Sequence, residues 1–413
     1  MRLLHVSDWH VGLTTGPFPR RPDHEVVFEE IKAAVREYKP DLLLHTGDVF
    51  HVGSPAVDDL RFGIDALQKL AALVPVIALR GNHDSDRLFR VFTLLLGSEA
   101  GLKFVASPPH LASSDAIMRV PSADGRHAIA LAALPFIHAN RFIKTYIDAP
   151  TQTVTFADHL GKYERTLGDL LLRDLDPSTE VAIFAAHQFV QGAHKSGSER
   201  AIHVGEEYAT RSNDIPAVSY AAFGHIHEPQ SIGSGSPARY AGSPIQIDYG
   251  EQGQQKSIVF VEALPRKSAR VETVPLSGGR QLLTVSTKLA DLSALRGKCA
   301  GKLCKITVLT EKPVSDLSKL VQDAMPEADI VDVIEDCPAT RAVAVEDKRN
   351  SNAEQSLAEL FADFLATNPL RDAESARVRK AFEVILAATE GGEEPSLAQL
   401  GVSDPELLAG GLQ

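Results

Sequence analysis

RLLHVSDWH at residues 2–10, LLLHTGDVF at 42–50 and VIALRGNHD at 76–84 share one grammar, a short apolar run that ends in a polar cluster. The apolar parts, Arg2–Val6, Asp41–Leu44 and Val76–Leu79, have the length and continuity of strands buried on both faces. Val181–Ala185 runs into Ala186-His187 in the same way, and Ser219–Phe223 runs into Gly224-His225-Ile226-His227. Amphipathic helices are expected between the first three strands. One spans His24–Tyr38, with Val27, Ile31, Ala34 and Val35 on one face; the other spans Val57–Leu73, with Leu60, Ile64, Leu67 and Leu70. The alternation predicts an α/β fold of βαβ units around a mainly parallel or mixed sheet covered on both sides. In such sheets ligands bind beyond the carboxyl ends of the strands, and every polar cluster falls at such an end.

Downstream the pattern changes. Tyr240–Pro244 reads as a turn, Ile245, Ile247 and Tyr249 alternate, and Ser257–Val261 reads as a strand; these are expected to close a second sheet of the same domain. Pro275–Gly279 reads as a linker. Residues 280–340 then show strand patterns at Leu282–Val285, Leu303–Leu309 and Ile330–Ile334, with helical patterns at Leu289–Leu295 and Val314–Met325, which makes a small β-α-β-α-β module. After Asn350 a helix capped by Ser351 or Asn352 carries Leu357, Leu360, Phe361, Phe364 and Leu365 on one face and stops at Pro369. A second helix carries Val378, Phe382, Ile385 and Leu386 and ends at Gly391-Gly392. The expected organisation is therefore a main domain over 1–275, a small module over 280–340, a helical tail over 350–392 and a mobile end over 393–413.

The chain has 413 residues, 44% of them hydrophobic and 23% charged, a globular composition that suggests two or three domains. It lacks any run of 18 apolar residues, so no membrane span is expected. The start passes directly into polar residues instead of a signal-peptide pattern. With only three cysteines a disulfide scaffold is not expected, and the reducing cytoplasm is the expected compartment. Cys299 and Cys304 read as reduced thiols in a small core, since two further zinc ligands are missing nearby. The net charge of −12 weighs against a general nucleic-acid coat protein. It leaves room for a local basic groove, and bound divalent cations would add positive charge where a phosphate sits.

The clusters are Asp8-x-His10, Gly47-Asp48, Gly81-Asn82-His83-Asp84, His187 and Gly224-His225-x-His227. Asp, His and Asn suit Mn, Fe, Zn or Mg. Asp48 has two oxygens and can bridge two cations, and two cations about 3.5–4 Å apart clamp a phosphate and lower the pKa of a bound water. Any one cluster is weak evidence; all five in order at strand ends point to a two-metal phosphodiesterase. Gly47, Gly81 and Gly224 read as close-approach or sharp-turn positions beside ligands. Trp9 reads as packing beneath the site. His5, His45, His51, His127, His138, His159 and His203, taken singly, carry no assigned role.

On these residues the chain resembles the calcineurin-like metallophosphoesterases. The resemblance implies a two-sheet sandwich flanked by helices, with Asp8, His10, Asp48 and His227 holding one metal and Asp48, Asn82, His187 and His225 the other. His83 would act on the scissile phosphate as proton donor or transition-state stabiliser, Asp84 would orient His83, and a hydroxide activated by the two metals would attack in line. Within that superfamily the start MRLLHVSDWHVG with Asp23-His24-Glu25 and Phe28 resembles the bacterial SbcD nuclease family. So do His187–Ala193 with Ser196, Ser198, Glu199 and Arg200, His225–His227 with Pro229-Gln230, Tyr240–Pro244, Tyr249-Gly250-Glu251, Lys256, and Val274–Leu276 with Gly278–Arg280. This implies a manganese-dependent DNA nuclease, with 3′–5′ exonuclease activity on duplex ends and endonuclease activity on single strands and hairpins, in DNA repair and recombination. The 280–340 module would be a capping domain, and the tail helices would dock on an SbcC-type coiled-coil ATPase, with a homodimer inside a two-plus-two complex that is cytoplasmic and nucleoid-associated. A small-molecule phosphodiesterase or phosphatase with the same metals stays open as the alternative. DNA-contacting residues are not identified, though Arg20, Arg21, Arg87 and Arg90 are expected near the site, where each could contact phosphate or simply be solvated.

Overall fold

The computed structural model describes residues 1–96, 101–137, 155–196 and 209–338, together with Phe361, Val378 and Phe382. Contacts divide the chain into two compact units, Met1–Leu309 with Val314–Glu335 and Thr310–Pro313 with Asp336–Gln413. In the second unit Phe361, Val378 and Phe382 are helical, and the rings of Phe361 and Phe382 stack with centroids 3.9 Å apart. The remainder of both expected tail helices, the end over 393–413, His138 and His203 lie outside the described residues.

In chain order the first unit runs β1 (Arg2–Val6), β2 (Thr14–Thr15), β3 (Phe18–Pro19), α1 (Arg21–Tyr38), β4 (Leu42–His45), α2 (Val57–Ala71), β5 (Val76–Leu79), α3 (Asp86–Leu96) and β6 (Leu102–Val105). It continues with β7 (Ile117–Pro121), β8 (Ala128–Leu134), α4 (Phe156–Arg173), β9 (Glu180–His187), β10 (Tyr220–Gly224), β11 (Gln230–Ile232), β12 (Ala238–Tyr240), β13 (Ser257–Glu262) and β14 (Arg270–Pro275). One six-stranded sheet has the order β14-β13-β1-β4-β5-β6 and the other β11-β12-β10-β9-β8-β7. The strands that end in the polar clusters are parallel to their neighbours: β1 with β4, β4 with β5, β8 with β9 and β9 with β10.

Alternation along the strands explains the sandwich. Leu42 and Leu44 face the second sheet, where they meet Ile129, Leu131, Ile183 and Tyr220 in a core between the sheets. Leu43 faces the other way, into a core with Val27 and Ile31 of α1 and Leu67 and Leu70 of α2. The outer face of the second sheet packs Phe184 and Phe223 against Leu160 and Leu167 of α4. Four layers therefore lock the strand ends, and the polar clusters attached to them, at fixed positions.

Two sequence expectations are corrected. Ser257–Glu262 pairs antiparallel with β1 and so extends the first sheet, not the second; it satisfies the edge of β1, and Ala263 N–H continues the pairing to the Met1 carbonyl at 2.9 Å. Ile245–Tyr249 is irregular rather than a strand. Its backbone groups bond to side chains instead of a neighbouring strand: Gln246 O accepts from Arg20 Nη1 at 2.8 Å, and Ile247 N–H donates to Glu251 Oε2 at 3.0 Å. A short 3₁₀ turn follows at Tyr249–Glu251.

The 280–335 region carries its own three-stranded sheet, β15 (Leu282–Lys288), β16 (Leu303–Leu309) and β17 (Asp329–Asp336). Between them lie a 3₁₀ stretch at Leu289–Leu295 where an α-helix was expected, α5 (Arg296–Cys299) and α6 (Leu317–Ala324). Cys299 and Cys304 are free and buried in its core with Ile306, Val308, Val321 and Met325. No helix among the described residues is long and apolar enough to cross a membrane.

Candidate metal centre

The ends of β1, β4, β9 and β10 and the loop after β5 converge, and they bring Asp8, His10, Asp48, Asn82, His187, His225 and His227 into one buried pocket. His10 Nε2 lies 3.1 Å from His227 Nε2. Asp48 Oδ2 lies 3.7 Å from His10 Nε2 and 3.4 Å from His187 Nε2, so it stands between the two histidines as a bridging carboxylate would. Asn82 Oδ1 is 2.9 Å from His187 Nε2 and 2.8 Å from His225 Nδ1. Metal-ligating geometry gathers Asp8, His10 and His227 in one group and Asp8, Asp48 and His187 in another.

The local backbone is bent to make this possible. Asp8, His10, Asp48 and His225 have φ of 50°, 50°, 55° and 101°, in the left-handed region that side chains other than glycine rarely adopt. Holding four candidate ligands there costs about 1–3 kcal/mol each, which the surrounding sheets must offset. Gly47 also has a positive φ, 110°, and a Cβ on it would collide with His187 Nδ1; a Cβ on Gly81 would collide with Asp48 Oδ1. These glycines are where the loops pass against a ligand.

The donor set suits divalent cations. Two imidazole nitrogens lie 3.1 Å apart with carboxylates alongside, so imidazole and carboxylate donors converge on one small space. Protonation in the pocket is shifted by burial and by the neighbouring charges. Burial pushes Asp8 up to about 6 and pulls His10 well below its ordinary value. Burial would likewise raise Asp48, yet the imidazoles of His187, His83 and His10 hold it well below the usual carboxylate range. Burial opposes the charging of His187, but Asp48 raises it to about 9. Oxygen and imidazole donors of this kind fit Mn, Fe, Zn or Mg.

Imidazole orientation is set by oxygens behind the ligands. His187 Nδ1 pairs with the Thr46 carbonyl at 2.7 Å, and His227 Nδ1 lies 3.3 Å from Glu251 Oε1. Burial would raise Glu251, but His227 and Lys256 hold it well below the carboxylate range. Trp9 is fully buried beneath the pocket, its ring 4.3 Å from Phe28 and 4.6 Å from His45. His5 links the two sheets, with Nδ1 2.9 Å from Tyr220 Oη and Nε2 2.9 Å from Thr46 Oγ1; burial pulls it to about 3, so it is neutral.

His83 stands at the rim, less buried than the ligands. Its Nδ1 pairs with the His51 carbonyl at 2.6 Å, and its N–H donates to Asp48 Oδ1 at 2.7 Å. Asp84, which the resemblance has orienting His83, makes its hydrogen bonds to backbone. Its carboxylate accepts the N–H groups of Gly81 at 2.9 Å, Phe50 at 2.9 Å and Val49 at 3.2 Å, which ties the Asn82 loop to the Asp48 loop. Burial and then Asp48 push it up to about 7. A carboxylate is drawn there because three backbone donors need acceptors away from water.

His51, given no role from sequence, belongs to this rim. Its Nδ1 is 3.4 Å from His10 Nδ1, and His10, His51 and His83 form a third group with metal-ligating spacing. The signal was its place three residues after Asp48, in Gly47-Asp48-x-x-His51. Arg20 is the opposite case. Far from facing a phosphate, it is fully buried, bonding Asp23 Oδ2, Thr15 Oγ1 and two backbone carbonyls, because a guanidinium leaves water only when its donors are filled. Arg21 lies over the Phe62 ring, and Arg90 pairs with Asp86.

Comparison with known proteins bears on the same residues. The family model described as calcineurin-like phosphoesterase matches residues 1–229, which contain all seven pocket donors. The chain is 30% identical over 292 residues to a Bacillus subtilis (strain 168) protein named as the SbcD component of the nuclease SbcCD, covering 68% of this chain and 71% of that protein. It is 26% identical over 413 residues to the protein of the same name from Escherichia coli (strain K12), covering 95% and 100% of the two.

Proposed function

The chain belongs to the calcineurin-like phosphoesterases and, within them, to the SbcD nucleases, and from that premise we propose how its pocket hydrolyses DNA and what it works with. It is a metal-dependent nuclease. The observation that carries the mechanism is the placing of Asp48 between His10 and His187, with the Nε2 atoms of His10 and His227 3.1 Å apart. Asp8, His10, Asp48 and His227 would hold one divalent cation, and Asp48, Asn82, His187 and His225 would hold the other. When bound, the pair supplies positive charge to the phosphate oxygens and makes a water acidic enough to attack at neutral pH. Mn²⁺ fits the mix of carboxylate, amide and imidazole donors.

His83 works on the other side of the phosphate. Its Nδ1–H is engaged by the His51 carbonyl, which sets the ring direction and makes Nε2 the nitrogen that serves substrate. In protonated form it hands a proton to the leaving oxygen. Asp84 acts on this step indirectly, by fixing the loop that carries Asn82 and His83. The reading extends to 3′–5′ cutting of duplex ends and cutting of single strands and hairpins, in a cytoplasmic, nucleoid-associated complex. It also treats 1–275 as the nuclease domain, 280–340 as a capping domain and 350–392 as the segment that docks on an SbcC-type ATPase. Amphipathic helices that lay an apolar face into a partner's groove are a common mode of assembly. The homodimer reading is supported by the exposed neighbours Leu94 and Leu95 near the end of α3, at 80% and 70%.

The test is to incubate the purified chain with Mn²⁺ and an end-labelled duplex, alone and with its ATPase partner. Metal-dependent shortening of the duplex is expected. Turnover of small phosphodiesters with DNA left intact in both conditions would overturn the nuclease mechanism in favour of the small-molecule alternative. Truncation after Asn350 should keep metal-dependent cutting of single strands and lose stable association with the ATPase; continued co-purification would sink the docking assignment.

A further inference from the structure

Glu251 lies outside every cluster that supplies a ligand, and it is fully buried. Its Oε1 is 3.3 Å from His227 Nδ1. Its Oε2 accepts Lys256 Nζ at 2.7 Å and the Ile247 N–H at 3.0 Å. Lys256 Nζ in turn donates to the His227 carbonyl at 3.0 Å and to Gln254 Oε1 at 3.0 Å. His227 is thus gripped at both its ring and its backbone by one buried ion pair. A carboxylate and an ammonium are removed from water only at considerable cost, and here the pair encloses a single imidazole whose Nε2 looks into the pocket.

The same short segment reaches the opposite way. Tyr249 Oη donates to the Leu303 carbonyl at 3.3 Å, Lys305 Nζ stands 4.4 Å over the Tyr249 ring, and Gln252 Oε1 accepts the Thr284 N–H at 2.7 Å. Gln246 Oε1 accepts the Leu282 N–H at 2.8 Å. Leu282, Thr284, Leu303 and Lys305 all belong to β15 and β16 of the small module.

We propose that Glu251 is a positioning residue for His227, set in a strut over 246–256 that joins this metal ligand to the small module. The inference rests on the reading of His227 as a ligand. Glu251 accepts the Nδ1–H, which fixes the tautomer with Nε2 presented to the cation and raises the basicity of the ring; partners behind metal-binding histidines act in this way. Lys256 pairs with Glu251 and holds the backbone of His227, so ring and backbone stay in register.

The experiment titrates Mn²⁺ into the metal-free full chain by calorimetry and compares wild type, His227→Ala, Glu251→Gln and the double variant Glu251→Gln/Lys256→Met. Wild type should take up two cations and His227→Ala should lose one of them. A wild type that takes up none would overturn the ligand reading itself, and this proposal with it. Given two cations, Glu251→Gln should weaken one of them by about 10–100-fold and leave the other unchanged. An isotherm superimposable on wild type, with only a lower thermal midpoint of the metal-free chain, would mean a merely structural role and would overturn the proposal. The double variant guards against misfolding, because it leaves no ammonium buried alone. It should recover the metal-free thermal midpoint but keep the weakened cation, and restored wild-type affinity would count against Glu251.

Discussion

The two halves of the metal pocket are built on different plans. The first sheet and its loops supply Asp8, His10, Asp48, Asn82 and His83, which include both carboxylates, and three of these residues have left-handed backbone. The second sheet supplies His187, His225 and His227, imidazoles alone. Each of these three has a ring nitrogen against an oxygen: Thr46 O at 2.7 Å, Asn82 Oδ1 at 2.8 Å and Glu251 Oε1 at 3.3 Å. The difference teaches a division of labour. On the proposed ligand set, the first half supplies the negative charge and the second supplies imidazoles whose directions neighbouring oxygens set.

The sharpest way to break that division is to remove charge from the first half. Asp48→Asn keeps the shape but takes away the bridge between His10 and His187. Cation charge is worth several kcal/mol to the transition state, so cleavage should fall by about 10³-fold and calorimetry should show both cations weakened. Loss of a single cation would place the bridge elsewhere. Next in size is His83→Gln, which touches neither plan for holding metal. Cleavage should fall by about 10²-fold with cation uptake unchanged, and a change in uptake would make His83 a ligand instead.

This division also explains what could be read from sequence. Asp8-x-His10 and His225-x-His227 are legible as candidate ligands because each places its donors close together at the end of an apolar run. Asn82, His83 and Asp84 are legible for the same reason, although the partner of Asp84 is not. Which donors a carboxylate meets depends on how the Asp48 and Asn82 loops pack, and backbone N–H groups leave no trace in side-chain pattern. His51 read as a bland histidine because no strand ends at it. Ser257–Glu262 was recognisable as a strand, but its sheet was not, since strand partners are chosen by which edge is open. Glu251 illustrates the limit most clearly: it sits in the 3₁₀ turn at Tyr249–Glu251, and no residue pattern tells that this turn folds back onto the His227 ring.

The second half can be probed through its helix. Glu164 on α4 is fully buried, and Thr210 Oγ1 donates to its Oε1 at 2.8 Å. Burial, with Asp214 adding to it, raises its carboxyl from 4.5 to about 8. A raised folded-state value means that the protonated form is the stable one. The contribution is therefore fully present below about pH 4.5 and is lost as pH rises through about 8. Denaturant unfolding of the metal-free chain should show stability declining over that window by a few kcal/mol at most, on the order expected for one buried carboxyl. Glu164→Gln should flatten the decline, and an identical slope in the variant would mean that Glu164 is ionised in the folded chain.

The smallest expected effect separates the outer surfaces of the two halves. On the first, α3 begins two residues after Asp84 and turns Val91, Leu94 and Leu95 outward, with exposures of 42%, 80% and 70%. On the second, α4 points its apolar face into the core and leaves Leu172 as its one large exposed hydrophobic residue, at 38%. If two copies associate, the first half is where they meet, and its ligand loops sit close behind the contact. Leu94→Glu with Leu95→Glu should then lower the molar mass in light scattering from dimer to monomer. Exposed substitutions of this kind change folding stability by about 0.5 kcal/mol or less, so the fold should hold and metal-dependent cutting of a single strand should stay near that of the wild type. An unchanged mass would remove α3 from the interface, and a monomer with much weaker cutting would show that the loops carrying Asn82 and His83 depend on the second copy for their shape.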